Sequence, residues 1–181
     1  VGHPMAQTMP VDVDQSSARR QLGVAPSIPV FALMPGSRVS EIDYMAPVFF
    51  QTALLLLKRY PQAQFLMPVA TQATHRRISK ILASAQFSNL SITLVDKQAD
   101  TVCTAADVVL VTSGTATLEV ALCKRPMVIS YKISPLTYAY VKRKVKVPHV
   151  GLPNILLNKC AVPELLQHDA MPEKLAEAMI Y

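Results

Sequence analysis

Two short loops in this chain carry residue types suited to holding an anion. The first is Pro35-Gly36-Ser37-Arg38, which follows the apolar run Val30 to Met34 and precedes an amphipathic stretch opened by Ser40-Glu41. A strand that stops at Pro-Gly and yields to a helix leaves unpaired backbone N–H groups at the helix start, with Ser40 as the expected N-cap. Arg38 adds a planar fork of donors that matches phosphate geometry. The second is Ser113-Gly114-Thr115-Ala116-Thr117-Leu118-Glu119, after the run Asp107 to Val111. Small hydroxylated residues and a glycine again allow close backbone approach, and two such loops on one sheet edge suit a diphosphate. Glu119 lies one turn into its helix, where a carboxylate can accept both hydroxyls of a ribose. Plainer readings stand beside these: Arg38 solvated, Ser113 and Thr115 as helix caps, and Glu119 as a favourable charge near a helix N-terminus.

The elements that must position these loops follow from the apolar pattern. After the strand Val30 to Met34, residues Ile42 to Tyr60 read as a long helix. Pro47 is tolerable only in a first turn, so this helix is expected to start near Tyr44 or to kink at Pro47. Further strands are expected at Gln64 to Val69, Ser91 to Val95, Asp107 to Val111 and Pro126 to Ser130. Helices are expected at His75 to Ser84, Lys97 to Ala105 and Ala116 to Leu122. Near-continuous apolar strands alternating with helices imply an α/β fold, a Rossmann-like parallel sheet with helices on both faces. Ligands in such sheets sit at the carboxyl ends of the strands, where Gly36 and Gly114 both fall. No Gly-x-Gly-x-x-Gly follows the first strand, which argues against a nicotinamide cofactor. Residues 1–28, with Pro4, Pro10 and Pro26, read as a connector with one helix around Ser16 to Leu22, capped by Gln15-Ser16-Ser17 and ended by Gly23. Residues 29–181 read as the ligand-binding domain. Beyond Ser134 a helix with Tyr138 and Tyr140 is expected, then short helices at Pro163 to Gln167 and Pro172 to Ile180.

Composition removes several function classes. The chain has 181 residues, a formal charge of +6 and 51% hydrophobic residues. No apolar run approaches the ~20 residues of a membrane-spanning helix. The positive charge favours an anionic partner, but Trp is absent and aromatics are sparse, so nucleic acid is not the expected one. Cys103, Cys123 and Cys160 are far apart and read as small buried thiols in a reducing compartment; the scattered histidines give a metal little to bind. The chain opens on Val1 without an initiator Met and reads as a fragment.

Taken together, Val1-Gly2-His3-Pro4, Pro35-Gly36-Ser37-Arg38 with Glu41-Ile42, Ser113 to Glu119, Pro126-Met127-Val128 and Val150-Gly151-Leu152-Pro153-Asn154 resemble the lipid-A-disaccharide synthase family, in that family's order and across nearly the whole chain. The resemblance implies the carboxyl-terminal, nucleotide-binding domain of an inverting GT-B glycosyltransferase. Such an enzyme joins the sugar of UDP-2,3-diacylglucosamine to 2,3-diacylglucosamine 1-phosphate and releases UDP. It further implies that the acceptor domain and the general base lie in an amino-terminal half. Gly36, Ser37 and Arg38 would face the diphosphate together with Ser113, Gly114, Thr115, Ala116 and Thr117. Glu119 would hold the ribose, and Asn154 would line the donor site, unless it is a turn residue satisfying its own backbone. No Asp-x-Asp pair stands in either loop to bring a cation to the diphosphate, so neither cofactor nor metal is expected and Arg38 would stabilise the leaving group. A UDP-sugar 2-epimerase, or a UDP-binding module without turnover, is the alternative. Because the substrates are lipids, Lys142, Arg143, Lys144 and Lys146 would dock the domain on the anionic inner face of the cytoplasmic membrane.

Overall fold

The computed structural model describes residues 14–133 and 149–180. The elements, in chain order, are α1 (Gln15–Gln21), β1 (Val30–Met34), α2 (Val39–Arg59), β2 (Gln64–Val69), α3 (Gln72–Leu82), β3 (Ile92–Asp96), α4 (Ala99–Ala105), β4 (Val108–Thr112), α5 (Ala116–Leu122), β5 (Met127–Tyr131), α6 (Leu152–Leu157), β6 (Glu164–Leu166) and α7 (Pro172–Ile180). All pairings are parallel, in a six-stranded sheet of order β3-β2-β1-β4-β5-β6. The α/β reading therefore holds.

Each central strand feeds two cores because successive side chains point to opposite faces. Phe31 and Leu33 join Phe65, Leu110 and Val128 beneath α2, α3 and α7. Val30, Ala32 and Met34 join Val109, Val111 and Ile129 beneath α1, α4 and α5. Burial on both faces explains why β1 reads as an unbroken apolar run. The strand order reverses between β1 and β4, which are neighbours in space although β2 and β3 intervene in sequence. That reversal opens a crevice at the strands' carboxyl ends, the place where such sheets take ligands.

Several local expectations change. Helix α2 begins at Val39, not near Tyr44, and runs through Pro47. Pro47 has no N–H to offer the Asp43 carbonyl, a cost of about 3 kcal/mol in an isolated helix. Met45, Ala46, Phe49 and Phe50 are fully buried on either side and hold the helix in place. Helix α1 is capped by the Asp14 carboxylate, which accepts from Ser17 N at 3.1 Å, instead of by the Gln15-Ser16-Ser17 cluster. Lys97 sits at φ 54, a left-handed conformation, so α4 cannot start there and begins at Ala99. The segment expected as a helix at Pro163 to Gln167 is instead β6: Ile129 N donates to Pro163 O and Gln167 N to Tyr131 O, both at 2.9 Å. A free edge on β5 offers this short segment more hydrogen bonds than a single helical turn would, and tertiary pairing overrides local propensity.

The helix assigned to the connector is docked on the domain. Arg19 is buried, donates from Nε to Ala105 O at 3.0 Å and pairs with Asp107 at 2.8 Å. Cys103 and Cys123 are buried as expected, but Cys160 is exposed. The expected helix with Tyr138 and Tyr140, and the cations Lys142, Arg143, Lys144 and Lys146, lie outside the described residues. Among the described residues no helix is long and apolar enough to cross a membrane.

Candidate functional site

At the crevice between β1 and β4 lies an open cleft of about 680 Å³. This is within the roughly 300–1,000 Å³ typical of small-molecule sites. Its walls include Gly36, Ser37 and Arg38 from the β1–α2 loop and Ser113, Gly114, Thr115 and Ala116 from the β4–α5 loop, with Glu119 on α5. The two sequence loops are thus brought face to face. Both glycines are there for backbone reasons: Gly36 has φ 124 and Gly114 φ 150, conformations that side-chain-bearing residues rarely adopt.

In the first loop the helix cap is Arg38 and not Ser40, because Glu41 reaches back over the turn. Its carboxylate accepts from Ser37 N at 3.1 Å and Arg38 N at 3.3 Å, and Arg38 Nη1 donates to its other oxygen at 3.0 Å. This is the reciprocal half of a capping box. The approach is close enough that a Cβ on Gly36 would fall 2.6 Å from Glu41 Cβ and Oε2. The Arg38 side chain is 78% exposed, so the pair with Glu41 is a surface one, worth about 0.3–0.5 kcal/mol. A bidentate contact to a diphosphate, at roughly 1.5–3 kcal/mol, outweighs it.

The second loop is built differently. Ser113 Oγ donates to Val150 O at 2.8 Å, so this hydroxyl ties the loop to the segment before α6. Thr117 Oγ1 donates to Gly114 O at 2.7 Å, and the residue is fully buried. Thr117 therefore braces the loop from behind and does not line the cleft, contrary to its expected place at the diphosphate. Glu119 is half-buried at the cleft wall; burial, and secondarily the Asp100 carboxylate, hold its carboxyl above the usual range. A carboxylate short of hydration gains from hydroxyl donors.

Asn154 is also placed away from the cleft. It is fully buried, with Nδ2 donating to Val162 O at 2.8 Å and to Glu164 Oε1 at 2.7 Å. Its Oδ1 accepts from Ala161 N at 2.7 Å and Val162 N at 2.9 Å. Every hydrogen-bonding position of the amide is spent internally. Glu164 in turn accepts from Val150 N and Gly151 N, both at 3.0 Å. Asn154 thus positions, through Glu164, the very segment that Ser113 grips.

Sequence reasoning missed Lys97 and Tyr131, which both line the cleft from the carboxyl ends of β3 and β5. Lys97 brings a second cation to the cleft that Arg38 lines. The rule that ligands collect at the strands' carboxyl ends was already in hand and would have pointed to both.

Comparison with known proteins bears on the family and the fold. A family model described as lipid-A-disaccharide synthetase matches residues 1–181. The chain is 76% identical over 179 residues to a lipid-A-disaccharide synthase of Neisseria meningitidis serogroup A, covering 99% of this chain and 47% of that protein. It is 56% identical to one of Chromobacterium violaceum, covering 99% of this chain and 46% of that protein. The chain therefore spans about half the length of these curated relatives. Among solved structures, E. coli ADP-heptose LPS heptosyltransferase II matches with TM-score 0.61 at 14% identity, over 92% of this chain and 50% of that one. A glycosyltransferase from Rickettsia africae matches with TM-score 0.58 at 11% identity, over 97% of this chain and 42% of that one. At such identities the structures speak for the shared GT-B glycosyltransferase fold, while the sequence matches decide the family: this chain belongs to the lipid-A-disaccharide synthetase family.

Proposed function

We propose that this chain supplies the UDP-sugar-binding half of a glycosyltransferase that moves diacylglucosamine from UDP-2,3-diacylglucosamine to 2,3-diacylglucosamine 1-phosphate, giving lipid A disaccharide 1-phosphate and UDP. The observation that carries this reading is the convergence of two helix-start loops, Arg38 and Glu119 on one cleft at the sheet's switch point. The diphosphate lies between the loops, with the amides of Gly36 to Arg38 on one side and those of Gly114 to Ala116 on the other. Glu119 accepts the ribose hydroxyls. As the acceptor hydroxyl attacks the anomeric carbon, the bond to the β-phosphate oxygen breaks and charge builds on UDP. Arg38 and the loop amides meet that charge, and the proton of the attacking hydroxyl passes to a general base in the half of the enzyme that this chain does not span. Neither loop carries an Asp-x-Asp pair, which supports leaving-group stabilisation without a metal.

Titration calorimetry of the 181-residue chain tests the reading. UDP is expected to bind weakly, in the high micromolar to millimolar range, with no sugar transfer; no heat from UDP at millimolar concentration in a folded sample would contradict it. In the full-length enzyme, disaccharide formation from radiolabelled donor is expected to persist in the presence of a chelator.

Membrane docking is part of the same proposal. The exposed side chains Ile155, Leu156 and Leu157 on α6 follow the cationic run Lys142 to Lys146 in sequence and support an interfacial surface. Co-sedimentation with liposomes should require anionic lipid, weaken with salt, and drop when Lys142, Arg143, Lys144 and Lys146 all become Gln. Equal sedimentation of that variant would return the cluster to an ordinary solvated face.

A further inference from the structure

We propose that Glu41 is a resident anion that occupies the diphosphate half-site and competes with the ligand for it. The inference rests on the diphosphate reading of the cleft. Three of the donors which that reading assigns to a phosphate in the first loop are Ser37 N, Arg38 N and the Arg38 guanidinium. Each of them is already hydrogen-bonded to the Glu41 carboxylate, at 3.1, 3.3 and 3.0 Å. The carboxylate reaches them because residue 36 has no Cβ, which would otherwise stand 2.6 Å from Glu41 Oε2. Glu41 also lines the cleft, so its charge faces whatever enters.

A carboxylate can imitate one phosphate edge with two oxygens. Seated in the turn, it keeps the amides pointed inward and Arg38 folded over them, so the half-site is shaped for an anion before any ligand arrives. The cost is borne at binding. An incoming diphosphate must take Arg38 from Glu41 and come to rest beside a negative charge, which lowers affinity for the donor and its product alike. For an enzyme that must shed UDP after each turnover, a built-in competitor hastens release. The loop around Ser113 and Thr117 has no carboxylate on its turn. Competition is therefore confined to the half-site that holds the exposed Arg38.

Glu41→Gln separates competition from capping. Glutamine keeps the length and an acceptor for the loop amides, so the capping box persists while the charge is lost. Titration calorimetry of both proteins with UDP and with uridine gives the readout. UDP is expected to bind the variant about tenfold tighter, a difference of roughly 1.4 kcal/mol, while uridine, which has no phosphate, binds both alike. UDP affinity that is unchanged or weaker in the variant overturns the inference and leaves Glu41 as a cap. A gain shared equally by uridine overturns it as well, because the effect would not act through phosphate. If neither protein takes up UDP, the diphosphate reading itself is wrong and the inference falls with it. Should Glu41→Gln fail to fold by circular dichroism, Glu41→Asp draws the carboxylate back by one methylene. A several-fold gain in UDP affinity is then expected, and no gain overturns the proposal.

Discussion

Between β1 and α2 the backbone donors of the turn are given to a side chain, whereas between β4 and α5 the side chains are given to the backbone. In the first loop Ser37 and Arg38 hand their N–H groups to Glu41, and Arg38 folds over the same carboxylate. In the second, Ser113 and Thr117 spend their hydroxyls on the Val150 and Gly114 carbonyls. The two loops look alike in sequence, each a strand end, a glycine at positive φ and a helix start. Their difference teaches that a glycine- and hydroxyl-rich turn specifies a backbone shape and says little about which groups remain for a ligand. In one loop the guanidinium stands exposed over the carboxylate; in the other the turn is braced from behind and Glu119 is a charged group at the cleft wall.

The largest expected effect breaks the first loop. In the full-length enzyme, Arg38→Ala removes a charge-assisted contact worth about 1.5–3 kcal/mol, and more as charge develops on the leaving phosphate. The turnover number should fall roughly 10- to 100-fold and by more than donor affinity does. Steady-state kinetics with the UDP-linked donor checks this, and an unchanged turnover number would make Arg38 a solvated cap.

A comparable effect on stability, with a smaller one on binding, is expected from the second loop's bracing. Asn154→Ala leaves the amides of Ala161 and Val162, the Val162 carbonyl and Glu164 without their buried partner. At about 1–3 kcal/mol for an unpaired buried group, a loss of ~3 kcal/mol overall should lower the melting temperature by roughly 6–12 °C. UDP affinity should drop only a few-fold, through the Ser113–Val150 link. A variant that melts normally but loses UDP binding would place Asn154 at the ligand after all.

Sheet and helices were legible because the apolar pattern dictates them: Gln64–Val69 and Ala116–Leu122 fall where their runs place them. Errors arose where one residue's chemistry is settled by a distant partner. Glu164 joins β5 as a strand against its helical propensity, and Asn154 turns inward because Val162 and Glu164 await it. Asn154 and Thr117 share a signature with true ligand residues, a polar side chain in a tight turn, and only burial separates the two cases. Arg38, Gly36, Gly114 and Glu119 were legible as cleft residues because each follows the carboxyl end of a central strand. Lys97 follows the edge strand β3 and Tyr131 ends β5, and neither has a glycine immediately after it to mark a turn.

The smallest expected effect sharpens the role of Glu119. Burial and Asp100 raise its pKa, so the group ionises at a higher pH than an ordinary carboxylate. The ionised form accepts both hydroxyls of a ribose, so UDP binding should strengthen as pH rises through that range. The protonated form, populated below it, binds more weakly. Glu119→Gln should bind UDP a few-fold less tightly at neutral pH and lose this component of the pH dependence. Calorimetry of both proteins across the same pH series isolates it, since titration of the phosphate itself is common to the two. Identical pH profiles would assign the ribose to another group.

A crystal structure of the chain with UDP measures the central claim most directly. The account predicts the diphosphate between the Gly36–Arg38 and Gly114–Ala116 turns, Arg38 turned from Glu41 to a phosphate oxygen, and the ribose hydroxyls within hydrogen-bonding distance of Glu119. A nucleotide bound elsewhere, or in this cleft with its phosphates directed away from both loops, would contradict it.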